Sequence, residues 1–268
     1  MPIQTIAAPL NGKVAIITGG TKGVGRATAL TFAAQGCSHI AITHRSADPK
    51  PTLDAIKAVS ADIVTCAVQA DINDASFGSV VVNKSLQGLG VSHIDIVISN
   101  AALLDVDAYV PVAQIDKAKF DMYMTTNAWA GFHLAVSAVS YMTKPGGRII
   151  FVSSGGAKMP FGDPNVGHCF SKAAMDSIAA NLALVYGKDS KLTVNSIGVG
   201  ATDTESLRGA DQRFPGYFQM AASMSPLNRV GTPEEVASII AFVASPAASW
   251  INGNQVPANG GMLRILQS

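Results

Sequence analysis

Between Thr18 and Arg26 the chain runs Thr-Gly-Gly-Thr-Lys-Gly-Val-Gly-Arg. Glycines at 19, 23 and 25 let a backbone turn tightly and approach a pyrophosphate closely. A helix following them presents free N–H groups and the positive end of its dipole. The β-branched run Val14–Thr18 precedes the turn, so the strand–turn–helix context that dinucleotide binding requires is met. The glycines alone would also suit a plain strand-to-helix turn. Thr21, Lys22 and Val24 complete the predicted cradle. The second strand should end near Thr43-His44-Arg45-Ser46. Where NAD is bound, a carboxylate stands at this point for the ribose 2′-hydroxyl. None is present, and Arg45 can grip a 2′-phosphate through charge-assisted hydrogen bonds. Lys22 would add a second positive charge. The site expected from these residues takes NADP(H), with His44, Arg45 and Ser46 beside the adenosine ribose.

With these features in place, the sequence resembles the short-chain dehydrogenase/reductase family, from about Leu10 to Met262. Thr18-Gly-x-x-x-Gly23-x-Gly25 looks like the family's cofactor turn, and Asp71-Ile72 like its adenine-contacting pair. Ser99-Asn100-Ala101-Ala102 resembles the Asn-Asn-Ala-Gly signature, with Asn100 and Ala101 kept and Ala102 in place of glycine. Asn127 stands where the family has a structural and catalytic asparagine. Ser153-Ser154 closes the fifth strand as the family's catalytic serine does, and Lys172 opens Lys-Ala-Ala as its active-site lysine does. Val199-Gly200, with Thr202 and Thr204 following, is similar to the Pro-Gly-x-x-x-Thr segment that contacts the nicotinamide. The resemblance therefore implies a catalytic set of Asn127, Ser154 and Lys172. It departs at the general acid. The family motif is Tyr-x-x-x-Lys, and four positions before Lys172 this chain has His168, 14 positions after Ser154.

Residues at i and i+4 share a helix face, so His168 and Lys172 should point together. Histidine can hydrogen-bond an oxygen and shuttle a proton near neutral pH, while a nearby lysine disfavours the imidazolium. Several readings follow. His168 replaces the tyrosine in an NADPH-dependent carbonyl reductase. The substrate needs little acid help, as an iminium carbon does, and orientation suffices. Redox chemistry is secondary, and the pocket performs cyclisation, isomerisation or elimination with NADP(H) retained, as in fungal alkaloid-pathway members of the family that lack the tyrosine. Or the chain is a cofactor-binding protein without turnover. Asp163, in Phe161-Gly-Asp-Pro164, would stabilise a cation or act as acid or base; a solvated turn aspartate is the plainer reading. Asp105 and Trp129 are weaker candidates for pocket contacts. Between Thr204 and Val230, where the family places its substrate lid, stand Leu207, Phe214, Tyr217, Phe218, Met220 and Met224. Such a lid suits a bulky hydrophobic ligand, with about half of these side chains expected to face the core.

The elements that must position these groups alternate. Strands are predicted at 14–18, 39–43, 63–68, 94–98, 148–152 and 192–197, with 255–258 a last one placed at an edge by Pro257. Helical patterns lie between them; the first stops at Gly36. Alternation of this kind predicts a three-layer, doubly wound Rossmann fold with a mostly parallel seven-stranded sheet. One domain spans 1–268, with a cofactor half over about 10–150 and an active-site half with its lid over about 150–268. The chain has 268 residues, 48% hydrophobic, and nothing in it looks like a linker or repeat. A net charge of +1 argues against a nucleic-acid face. Three cysteines, 37, 66 and 169, without a C-x-x-C spacing, argue against a disulfide framework or metal site and suit a reduced, cytoplasmic setting. No secretory signal is apparent in 1–12. The stretch Tyr123–Thr143 carries no charge, but its polar residues make it a poor membrane span, and it is read as one helix buried on most faces. A homo-oligomer, tetramer or dimer, would cover the remainder.

Overall fold

The computed structural model describes residues 8–102 and 110–262. Seven strands form one sheet in the order β3-β2-β1-β4-β5-β6-β7, every pairing parallel. They are β1 (Val14–Ile17), β2 (His39–His44), β3 (Val64–Gln69), β4 (Ile96–Ser99), β5 (Arg148–Ser154), β6 (Thr193–Val199) and β7 (Gln255–Ala258). The sheet is thus wholly parallel. Pro257 lies in β7, at the free edge, where its missing N–H costs no ladder bond. The order reverses between β1 and β4, and a doubly wound sheet opens its ligand crevice at such a switch point.

Alternating side chains of each strand enter two cores. Val14 and Ile16 of β1 join one, Ala15 and Ile17 the other. On the first face pack α3 (Phe77–Leu89), α5 (Ala130–Ala138) and α6 (Val166–Ser190), through Val81, Leu134, Met175 and Ala179. On the second pack α1 (Gly23–Ala34) and α9 (Pro233–Ala244), through Ala29, Phe32, Ile240 and Ala241. Burial on both faces explains why these strands are continuously apolar. The helix α1 stops as expected: Gln35 caps it, and Gly36 turns the chain out at φ +89°.

The stretch 123–143 is not one helix. It is divided among α4 (Lys117–Met124), a π-helical turn (Thr125–Trp129), α5 and a 3-10 turn (Val139–Tyr141). The Thr126 hydroxyl donates to Met122 O at 2.8 Å, competing with the backbone ladder where the extra residue is inserted. Charged Lys117, Lys119 and Asp121 belong to the first segment. Among the described residues, no helix is long and apolar enough to cross a membrane. Trp129 and Val136 on this side, and Leu184 and Val185 on α6, stand exposed.

Candidate cofactor crevice and active site

At the C-terminal end of β1 the chain folds back on itself. Gly19 and Gly23 adopt φ of +67° and +53°, conformations costly for any residue with a side chain. Gly25 lies in the first turn of α1 against the backbone oxygen of Gly19, and a Cβ there would also stand 2.6 Å from Asn100 Nδ2. Asn100 fastens the turn by donating Nδ2 to Thr18 O at 2.8 Å, and Thr18 Oγ1 accepts from the N–H groups of Asn100 and Ala101, both at 2.9 Å. Thr43, at the end of β2, takes the N–H of Gly19 on its hydroxyl at 3.0 Å. The N-cap residue Lys22 makes no side-chain capping bond to the first turn of α1. A pyrophosphate fits such a helix start.

The neighbouring predicted residues ring this turn. His44 closes β2 with Nδ1 buried and without a hydrogen-bond partner. Arg45 and Ser46 follow, exposed, with Gln69 Nε2 donating to Arg45 O at 3.0 Å. Asp71 stands beyond β3, its Oδ1 accepting from the backbone and side-chain nitrogens of Asn73; Ile72 beside it packs partly on the core. Ala102 is the last described residue before the gap, and Asp105 lies outside the described residues. Across the crevice, Thr204 caps α7 (Glu205–Arg213) and comes within 3.4 Å of where a Gly23 Cβ would be. Val199 ends β6 opposite Ser154 of β5, and Gly200 and Thr202 lead from it, Thr202 Oγ1 donating to Gly200 O at 3.0 Å. Lys22 is paired: its ammonium lies 3.3 Å from Glu205 at the start of α7, both side chains well exposed.

Three elements bring the catalytic candidates together. The π-helical turn aims Asn127, fully buried, at α6, where its Nδ2 donates to Ser171 Oγ at 3.0 Å. π-Turns recur at functional sites because they rotate one side chain out of the helical register. The strand β5 delivers Ser153 and Ser154. Ser153 Oγ donates to Lys172 O at 3.3 Å, and Ser154 Oγ accepts from Gly156 N at 3.1 Å. The third element, α6, carries His168 and Lys172 one turn apart. Lys172 is buried, with Nζ donating to Val152 O at 2.8 Å. Burial lowers its pKa to about 8, against the opposing charge of Asp176. The His168 imidazole is desolvated as well; burial first, and the Lys172 charge second, lower its pKa to about 3. The expected repulsion is present, but burial outweighs it. His168 is therefore neutral throughout the physiological range, a hydrogen-bond donor and not a shuttle that titrates near pH 7.

Asp163 is exposed, as a turn aspartate would be, and its Oδ1 accepts from the backbone N–H of Val112 at 2.7 Å, which ties the loop before α6 to the segment that leads into α4. The lid departs from its expectation. It consists of α7 and α8 (Tyr217–Ser223), and none of its six large apolar residues is fully buried; Phe214 and Met220 are exposed. Small residues anchor it instead: Ala210, Ala221 and Ala222 are the buried ones. Tyr217 reaches down to α6, its hydroxyl donating to Asn165 Oδ1 at 3.4 Å. A cavity of about 540 Å³ lies on the far side of the lid, between Ala221, Leu227, Gln255 and Met262; it holds neither His168 nor Lys172.

A family model described as enoyl-(acyl carrier protein) reductase matches residues 19–263. The short chain dehydrogenase penD of Penicillium thymicola is 37% identical over 261 residues, covering 96% of this chain and 94% of that protein. The chain belongs to the short-chain dehydrogenase/reductase family. Within it, versicolorin reductase stcU of Emericella nidulans is 31% identical, over 95% of this chain and 97% of its own. Among solved structures, the angucycline C-6 ketoreductase LanV with bound NADP superimposes with a TM-score of 0.83 at 30% identity, covering 96% of this chain and 98% of that one. The reductase LugOII, which catalyses keto-reduction at C1 during lugdunomycin biosynthesis, gives 0.85 at 30%, over 95% and 99%.

Proposed function

We propose that this family member is an NADPH-dependent reductase of a bulky, hydrophobic carbonyl or imine/iminium compound in secondary metabolism. The observation that carries the reading is the joining of a glycine cradle, with an uncapped helix start and Arg45 at the 2′-phosphate position, to Ser154 at the end of β5 and His168 and Lys172 on α6. Solved relatives holding NADP, the angucycline C-6 ketoreductase among them, support the cofactor, and that ketoreductase and the versicolorin reductase support the substrate class. The exposed Phe214 and Met220 supply an apolar, adaptable lid surface.

Bound NADPH supplies the hydride. The first turn of α1 holds the pyrophosphate, and Arg45 the 2′-phosphate. Lys172, charged at neutral pH, steadies the nicotinamide ribose. Ser154 and the neutral imidazole of His168 would donate to a carbonyl oxygen or imine nitrogen of the reacting group, or accept from the N–H of a protonated iminium, and so orient it. His168 gives up a proton poorly, so the geometry favours substrates that need little protonation, the iminium ion first among them. Asn127 steadies this turn of α6 through Ser171.

The test is NADPH oxidation, followed at 340 nm, against fused-ring aromatic ketones and cyclic imines, with wild type and His168→Tyr side by side. The expected result is turnover of an imine by wild type and a gain of at least about tenfold on ketones in His168→Tyr. NADPH bound tightly and never oxidised by either protein would overturn the reductase reading. Rearrangement of a ligand without NADPH oxidation would assign the pocket to non-redox chemistry.

A further inference from the structure

One turn further along the face of α6 that carries His168 and Lys172, three elements meet over one carboxyl group. Asp176 lies one turn beyond Lys172 on α6. From the edge strand β7, Gln255 donates Nε2 to Asp176 Oδ2 at 2.6 Å and to the backbone oxygen of Ser154 at 3.1 Å. Gln255 has room to lie there because β6 carries glycine at 198: a Cβ at that position would stand 2.8 Å from Gln255 Cδ and Oε1. The second carboxylate oxygen, Asp176 Oδ1, is buried without a hydrogen bond, as is the hydroxyl of Ser196 in β6.

A buried carboxylate is costly unless polar neighbours and charge compensate it. Burial pushes the Asp176 carboxyl pKa up, and the Ser153 and Ser196 hydroxyls beside it, then the ammonium charges of Lys158 and Lys172, act against that rise. The influence is mutual, since Asp176 favours the protonated form of Lys172. Asp176 is the charged group that favours the Lys172 ammonium, and His168, one turn back, stands neutral beside it.

We propose that Asp176, held by Gln255, is a positioning residue that keeps Lys172 charged and locks its helix turn to the Ser154 end of β5. The proposal rests on Lys172 serving the active site as described above. Neither Asp176 nor Gln255 needs to touch substrate or cofactor.

The experiment is a ¹³Cε-lysine NMR titration of the cofactor-free chain, with Lys172 assigned by the resonance missing from Lys172→Met. In Asp176→Asn the Lys172 midpoint is expected to fall by roughly one pH unit. Asp176→Glu should recover at least half of that shift, and Gln255→Met should give a smaller fall, because the charge stays but is no longer held. A folded Asp176→Asn protein with an unmoved Lys172 midpoint overturns the proposal; a merely structural residue would behave so. If Asp176→Asn does not fold, Gln255→Met decides, and a wild-type midpoint there overturns the proposal. A parallel fluorescence titration of wild type with NADPH keeps the two readings apart. Failure to bind NADPH refutes the cofactor assignment and leaves the lysine titration to stand or fall by itself.

Discussion

The two candidate sites of this molecule are built by different means. In the proposed cofactor half the candidate recognition groups are mostly backbone: N–H groups at the start of α1, a turn of glycines, and Thr18, Thr43 and Asn100 fastening that turn from three strand ends. In the active-site half they are side chains on α6 and β5, under a lid anchored by alanines. A backbone cradle depends on space and tolerates almost no added atom. A side-chain site can exchange one functional group for another without disturbing the fold, and on the proposed reading position 168 is such a place. The difference teaches that the two sites can be altered separately.

The largest effect should come from adding one methyl group to the cradle. In Gly25→Ala the new Cβ meets the Gly19 carbonyl and the Asn100 amide, both fixed. The expected cost is about 3 kcal/mol of stability, a fall in Tm of roughly 8 °C for a chain of this size. NADPH binding, followed by fluorescence, should drop beyond about 100-fold as the turn opens. By contrast His168→Ala should leave NADPH affinity within about twofold, because the imidazole serves the other half. Equal losses in the two variants would erase the separation.

Next in size is the choice between cofactors. Arg45→Ala should weaken NADPH about 30-fold, the worth of one charge-assisted pair, and NADH by less than about twofold. A parallel loss of both would mean that Arg45 shapes the loop and does not read the 2′-phosphate.

Acid and base sharpen the comparison from the active-site side. The folded pKa of His168, about 3, lies below the ordinary 6.5. As pH falls, the unfolded chain takes that proton first, so stability present above pH 6.5 is lost progressively toward pH 3. The folded pKa of Lys172, about 8, lies below the ordinary 10.5. Between those values the unfolded chain holds a proton the folded one has shed, so this contribution makes stability rise with pH from 8 to 10.5. Urea midpoints across pH should show both limbs. His168→Phe should flatten the lower one, by on the order of 5 kcal/mol over its full span, and Lys172→Met the upper. A lower limb unchanged in His168→Phe would contradict a neutral, buried imidazole.

How much of this was legible in the sequence follows the same division. The strands and the glycine turn are written in local periodicity and in residues a few positions apart, so their placement came within about two residues. The end of β2 without a carboxylate was legible for the same reason. Three features were not. The uncharged stretch 123–143 looks continuous in composition, and nothing in its residue types announces the inserted π-turn that aims Asn127. The lid residues are apolar at helical spacing, yet the helices hang by alanines, and that depends on what they pack against. The Asp176–Gln255 contact joins residues 79 positions apart, and neither type is unusual in a helix or an edge strand. The imidazole of His168 could be found by spacing, but its depth of burial, which decides its protonation, is a property of tertiary packing alone.

The smallest expected effect lies where the two halves touch. Lys22, in the glycine turn, pairs with Glu205, the first residue of lid helix α7, at 3.3 Å. The side chains are 61% and 71% exposed, so the pair contributes little to stability, about 0–1 kcal/mol at most. It does divert a positive charge from the phosphates. Glu205→Gln should therefore tighten NADPH binding by about two- to threefold at low salt, with the gain screened away near 0.5 M NaCl. Glu205 also favours the N-terminus of α7 electrostatically, and its loss should loosen that helix by only a few tenths of a kcal/mol. Release of Lys22 toward a doubly charged 2′-phosphate outweighs that cost, because the ligand carries more charge than the carboxylate it replaces. Lys22→Ala should move affinity the opposite way and abolish the effect of Glu205→Gln. A Glu205→Gln protein that binds NADPH more weakly would mean the ion pair closes α7 over the cofactor, making the lid part of the cradle and the two halves one unit.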